Sequence, residues 1–138
     1  MTDTTHEGAC HCGAVRFRAR LKGGLASASR CDCAFCRMRG AVVVTSTVDG
    51  FEILQGADAL ALYQFGTMTA EHHFCRTCGI YTHHRRRLDP TEVGVNVACL
   101  DDVSPFDFAD LPVHDGRNHP SDGHAERDAG TLIFRLAP

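Results

Sequence analysis

The sequence predicts a mainly β protein of one domain, with its cysteines placed at strand turns. Three observations lead there. Short alternating or β-branched runs recur between glycine turns, helix signals are weak, and the eight cysteines gather where runs end. With 138 residues, 43% hydrophobic and 22% charged, the chain has the size and composition of one globular domain.

Val15-Arg16-Phe17-Arg18-Ala19-Arg20-Leu21 alternates apolar and basic side chains, the pattern of a half-buried strand. Ala41-Val42-Val43-Val44-Thr45 is β-branched and suits a buried strand. Phe51-Glu52-Ile53-Leu54 follows an Asp49-Gly50 turn. Ala61–Phe65 and Glu71–Phe74 flank a turn at Gly66, and Glu92–Ala98 alternates again. Thr131–Leu136 reads as the last strand, while Ala34–Arg39 and Ala57–Leu60 could each make one helical turn. Residues 101–130 hold three of the five prolines and read as a long irregular excursion, a length at which loops are often functional.

The formal charge of -3 argues against general nucleic-acid binding, which wants a basic balance. The basic run Arg85-Arg86-Arg87 reads as a solvated loop, because Leu88-Asp89-Pro90 follows at once. No stretch approaches the ~20 apolar residues of a membrane span. The first residues carry neither a basic nor an apolar region, so no secretory signal is expected. The expected compartment is the cytoplasm, where thiols stay reduced.

The cysteines form three clusters, Cys10-His11-Cys12, Cys31-Asp32-Cys33-Ala34-Phe35-Cys36 and Cys75-Arg76-Thr77-Cys78, with Cys99 apart. Thiolates one or two residues apart can reach a single ion from one tight turn, and zinc accepts such ligands in a tetrahedron. Gly13 and Gly79 follow two of the clusters and permit the positive φ those turns need. Cys10, Cys12, Cys75 and Cys78 would complete one closed, structural zinc site. Cys31, Cys33 and Cys36 supply three ligands, the number typical of a catalytic zinc. Disulfides would need an oxidising compartment, and an iron–sulfur cluster is the other use of such spacing. Cys99, in an apolar run, is either a small buried hydrophobe or a fourth ligand of the three-cysteine group. His72-His73 and His83-His84 are neighbours in strand-like runs, so at most one of each pair should face inward, as a group behind the ligands or at the surface. His114, in Pro112-Val113-His114-Asp115-Gly116, is the first histidine to test. Arg30, Arg37 and Arg39 flank the three-cysteine cluster and are either its compensating cations or solvent-exposed charge.

On Gly8-Ala9-Cys10-His11-Cys12-Gly13-Ala14-Val15, Cys31-Asp32-Cys33-Ala34-Phe35-Cys36-Arg37, Phe74-Cys75-Arg76-Thr77-Cys78-Gly79 and Leu100-Asp101-Asp102, the chain resembles the glutathione-dependent formaldehyde-activating family, which also contains centromere protein V-like proteins. The resemblance spans residues 8 to about 120, within a single zinc domain expected over 1–138. It departs from the family pattern at Gly79-Ile80-Tyr81-Thr82-His83-His84 and in having no tryptophan. The resemblance implies a β-sandwich-like fold with zinc knuckles and two zinc ions per chain. Cys10, Cys12, Cys75 and Cys78 would hold the structural ion, and Cys31, Cys33 and Cys36 the catalytic one. It further implies a carbon–sulfur lyase that forms or cleaves a thiol–aldehyde adduct, such as S-hydroxymethylglutathione from glutathione and formaldehyde. The competing expectation is a zinc-stabilised binding module without catalysis.

Overall fold

The computed structural model of the chain describes residues 2–138. Eleven strands, one short α-helix and five 3-10 turns appear among them. They are β1 (Thr4–Ala9), β2 (Arg16–Leu21), β3 (Arg30–Cys31), α1 (Ala34–Arg39), β4 (Val43–Thr47), β5 (Phe51–Gln55), β6 (Leu60–Tyr63), β7 (Glu71–Cys75), β8 (Tyr81–Arg85), β9 (Glu92–Asn96), β10 (Asp110–His114) and β11 (Asp128–Ile133). Three sheets result, in the orders β1-β2-β5, β4-β9-β8-β7-β6 and β11-β10-β3.

The predicted alternation in β2 sorts its side chains. Phe17, Ala19 and Leu21 are fully buried, while Arg16 and Arg18 face out toward Glu7 on β1. Across the core they meet Val44 of β4 and Val93 and Val95 of β9. The small sheet and the five-stranded sheet are thus two layers closed on each other, and the Phe51 ring lies 4.3 Å from that of His83 between them. Each large apolar side chain buried this way contributes roughly 1.5–3 kcal/mol. No helix among the described residues is long and apolar enough to cross a membrane.

The structure departs from the sequence expectations in three places. β1 has the polar sequence Thr-Thr-His-Glu-Gly-Ala, which carries no apolar alternation, yet it pairs along its whole length with β2. Its ladder and its Glu7–Arg18 pairing replace the missing pattern. The span 101–130 is not wholly irregular. It contains β10, whose Pro112 disguises a strand that pairs antiparallel with β11 and parallel with β3. β11 begins earlier than expected, at Asp128, and is exposed throughout. The basic run is also not simply a solvated loop. Arg85 ends β8 and is exposed, but Arg86 and Arg87 are half-buried, with Arg86 donating to Thr45 Oγ1 at 2.8 Å and Arg87 paired with Asp122.

Candidate metal centres

Two turns build the first cysteine group. Cys10 directly follows β1, and the chain reverses through Gly13 at φ 81°. Cys75 ends β7, and the chain reverses through Gly79 at φ 78°. A side chain would strain either position, which is why glycine closes both. These turns bring Cys10, Cys12, Cys75 and Cys78 together with all four sulfurs within 4.8 Å of one another. The Cys10–Cys12 and Cys12–Cys75 sulfurs stand 3.7 Å apart. A tetrahedron of ligands at ~2.3 Å from a zinc ion has edges of about 3.8 Å, so the spacing suits one ion. Backbone N–H groups of Val15 and Thr77 point at the sulfurs of Cys10 and Cys75. Hydrogen bonds from the backbone of Cys12 and Ile80 bring Cys78 down to about 6, while against a backbone hydrogen bond from Ala14 burial and the neighbouring sulfurs push Cys12 up to about 11, so the four thiols do not all ionise without a cation. Little else holds this corner, whose apolar cluster has only Cys10, Val15 and Cys75 fully inside.

The second group forms at the N-terminus of α1. Cys31 ends β3, and Cys33 caps the helix by accepting from Cys36 N at 3.2 Å. Cys36 lies one turn in, so Cys31, Cys33 and Cys36 also sit within 4.8 Å of one another. Alone, three thiols this close cannot all ionise. Hydrogen bonds from Cys31 and Cys36 hold Cys33 far below the ordinary thiol range, while those to Cys31 and Cys33 push Cys36 far above it. A divalent cation removes that conflict, because a coordinating thiol loses its proton outright. The donor set therefore fits a thiophilic ion. Among the described residues no fourth His, Cys, Asp or Glu joins this group. Cys99 is not part of it. Its thiol is buried in the core and donates to Tyr81 O at 3.4 Å, and burial pushes it up to about 12.

Backbone closes one side of the trio. The parallel bridge of His114 to Cys31 lays residues 114–117 beside it, and Asp32 Oδ1 accepts from Gly116 N at 2.9 Å and Arg117 N at 3.2 Å. A Cβ on Gly116 would overlap Cys31 Sγ and stand 2.8 Å from Cys33 Cβ, so only glycine fits. The other side opens on a cavity of about 390 Å³. His72, His84, Arg39, Arg86 and His114 line it with the three cysteines.

Strand alternation divides the histidines as expected for neighbours. His72 stacks on His84 at 5.1 Å toward the cavity, and His73 on His83 at 4.6 Å away from it. They are more buried than surface groups, with His72 and His83 inside the protein. Burial first, then the Arg39 charge, brings His72 down to about 4 and holds His84 well below the usual histidine value. Arg39 is the cation of the centre. Its Nη1 donates to His72 Nδ1 at 2.9 Å, its Nη2 approaches Cys36 Sγ at 3.7 Å, and its guanidinium lies 3.7 Å from the Tyr81 ring centre. Of the other flanking arginines, Arg30 lines the cavity and Arg37 is exposed. Sequence reading missed Asp32 and Gly116, which act through a contact 84 positions apart. The Asp115-Gly116 pair beside His114 was the available signal.

A small layered β protein with two thiol groups able to hold metal, one closed by four cysteines and one set in a cavity, is the class that fold and sites define. The chain belongs to the glutathione-dependent formaldehyde-activating enzyme family, whose model matches residues 5–111. A Halomonas elongata protein provisionally named a glutathione-dependent formaldehyde-activating enzyme is 35% identical over 81 residues, covering 52% of this chain and 50% of that protein. The match thus spans half the length of that curated relative. The crystal structure of a Rhodobacter sphaeroides protein is similar at 55% identity with a TM-score of 0.76, covering 78% of this chain and 98% of that one.

Proposed function

We propose that the chain is a zinc-dependent enzyme of the carbon–sulfur lyase type, forming or cleaving the adduct of a small thiol and a small aldehyde, with glutathione and formaldehyde as the leading pair. Cys10, Cys12, Cys75 and Cys78 would hold a structural zinc. Cys31, Cys33 and Cys36 would hold the catalytic one. The observation that carries the reading is the contrast between the two groups. Four sulfurs complete a tetrahedron by themselves, whereas three sulfurs face a cavity and receive no further ligand from the described residues. Family membership supports the substrate pair.

When bound there, zinc supplies an electrophilic centre that favours a substrate thiol as its thiolate at neutral pH. In the adduct-forming direction the thiol sulfur bonds to the aldehyde carbon. The carbonyl π pair moves onto oxygen, which takes up the proton the thiol gave up. The reverse reaction breaks the same carbon–sulfur bond, and no oxidant enters in either direction. Three thiolates on a divalent ion leave one net negative charge, and Arg39 beside Cys36 offsets it. Because Arg39 can only donate, His72 Nδ1 accepts and its proton sits on Nε2. His114 is half-exposed and has Nδ1 engaged by Asp128 at 2.9 Å, so its Nε2 is the group that would move the proton to and from the oxygen. All eight cysteines are free, which suits a reducing compartment, and we place the protein in the cytoplasm on that ground.

Exchange of formaldehyde between free and glutathione-bound forms, followed by NMR with the zinc-loaded full chain, tests the proposal. Acceleration that disappears in Cys36→Ala supports it. Equal exchange in wild type, Cys36→Ala and buffer would eliminate it and leave the binding-module reading.

A further inference from the structure

The sheet β11-β10-β3 ends on a strand that nothing among the described residues covers. β11 pairs with β10 alone, and every residue from 121 to 138 is exposed. Sheet edges in natural proteins are guarded by a charge, a proline or a bulge, because their free N–H and C=O groups can pair with any passing strand. Ala129-Gly130-Thr131-Leu132-Ile133-Phe134 has no charge and no proline, and the register shift of this ladder lies at its first residue, next to His114.

The side chains add an apolar surface to the open edge. Leu132 is 45% exposed, Ile133 64%, Phe134 40% and Leu136 79%, and Phe106, whose ring stands 5.3 Å from that of Phe134, is 68% exposed. At ~200 Å² per large side chain these fractions amount to about 600 Å². That is the upper end of the largest apolar patch on an ordinary monomer. Doubled across a twofold axis it reaches about 1,200 Å², where specific interfaces begin.

The backbone sets which groups are free. Phe134 N donates to Ala109 O at 2.9 Å, so by the alternation of an antiparallel ladder Leu132 and Gly130 also turn their backbone groups toward β10. Pro112, which has no N–H, stands opposite Thr131, as suits a pair that exchanges no bonds. Thr131 and Ile133 therefore aim their N–H and C=O groups outward.

We infer that β11 is a dimerisation edge, taken up by β11 of a second copy of this chain running antiparallel. Asp128 and Arg135 bracket the apolar run with opposite charges, so antiparallel copies bring unlike ends together and parallel copies would not. Only registers that set outward groups against outward groups can form. In one of them Thr131 faces Ile133 of the second copy, Leu132 faces its own equivalent on the twofold axis, and Phe134 lies over Gly130. A Cβ on Gly130 would meet nothing within 4 Å, so the ring has room there. Slipping the copies one way brings Arg135 toward Arg127 of the other chain, and slipping them the other way shortens the ladder. The two small sheets become one continuous sheet, with Cys31 in its outermost strands. β3 has only two residues, and three strands are near the lower limit for a stable sheet, so the second copy stiffens the support of the three-cysteine group.

The test is analytical ultracentrifugation of the zinc-loaded full chain at concentrations up to about 100 μM. The mass of wild type should rise from 15.0 kDa to twice that value and stop there. Thr131→Pro removes an outward N–H from each copy and leaves the bonds to β10, so it should raise the dimer Kd about tenfold or more with Tm unchanged in dilute solution. Leu132→Lys and Leu132→Asp each set like charges against each other on the axis and should each be monomeric, whereas an equal mixture of the two should recover the dimer. A wild type that stays monomeric through the range, or one that grows past the dimer, would overturn the inference. So would variants that dimerise as wild type does, or a mixture that fails to recover the dimer.

Discussion

Replacing Cys75 with serine should cost the protein far more than replacing Cys36, although each change removes one sulfur. Cys12 and Cys75 touch across 63 positions of sequence. An ion that links them closes a loop of that size and removes about 14 cal/mol/K from the unfolded chain, or about 4 kcal/mol at 25 °C. The apolar cluster around this corner has only Cys10, Val15 and Cys75 fully inside, so packing cannot replace the link. A 138-residue chain unfolds with an entropy of roughly 290 cal/mol/K, which converts the loss to about 15 °C in Tm. Cys31, Cys33 and Cys36 span six residues between β3 and α1, and the same relation gives at most about half that cost for Cys36→Ser. Calorimetry of the zinc-loaded chain, with metal analysis of each variant, measures both. Zinc should fall from two ions per chain toward one in either case, but only Cys75→Ser should melt early and become open to proteolysis between residues 10 and 80. If Cys75→Ser melts no lower than Cys36→Ser, the four-cysteine group is not the clamp of this fold.

Other expectations follow from the same geometry. Gly116→Ala places a methyl group on Cys31 Sγ and beside Cys33. It should cut affinity for the second ion by tenfold or more while the four-cysteine group stays loaded, as read by competition with a chromophoric chelator. Arg39→Met removes the cation next to Cys36, so affinity for the second ion should drop about 10–100-fold and the sulfur-to-metal bands of the cobalt form should shift, whereas Arg39→Lys should recover part of the loss. His83 is buried, and burial, then the His73 charge, brings it down to about 3. The unfolded chain therefore binds a proton there between pH 6.5 and about 3 that the folded chain does not, and stability falls as pH drops through that window. At pH 5 the contribution is about 2 kcal/mol, so the difference in Tm between pH 7 and pH 5 should shrink in His83→Gln relative to wild type.

How much could be read before folding depended on range. The β2 alternation was legible because one residue in two faces the core, and the chain records that choice locally. The two knuckles were legible because Cys-x-Cys and Cys-x-x-Cys, each followed by glycine, write the turn and its ligands in one place. β1 and β10 were not, since a polar ladder and a proline-bearing strand are specified by partners rather than by their own pattern. The histidine pairs were half legible. Alternation separated the faces, but their burial depended on β7 and β8 stacking His72 on His84 and His73 on His83.

By itself the sequence determined the class of the protein and which cysteines group as candidate metal ligands, because thiolate spacing is local and a metal ion reads only donors within a few ångströms. The cavity was decided by tertiary structure alone. Asp32 with Gly116, Arg39 with Tyr81, and Arg86 with Thr45 are each made by elements far apart in the chain. Such contacts act through space, so their residues carry no shared signature until the sheets have closed on one another.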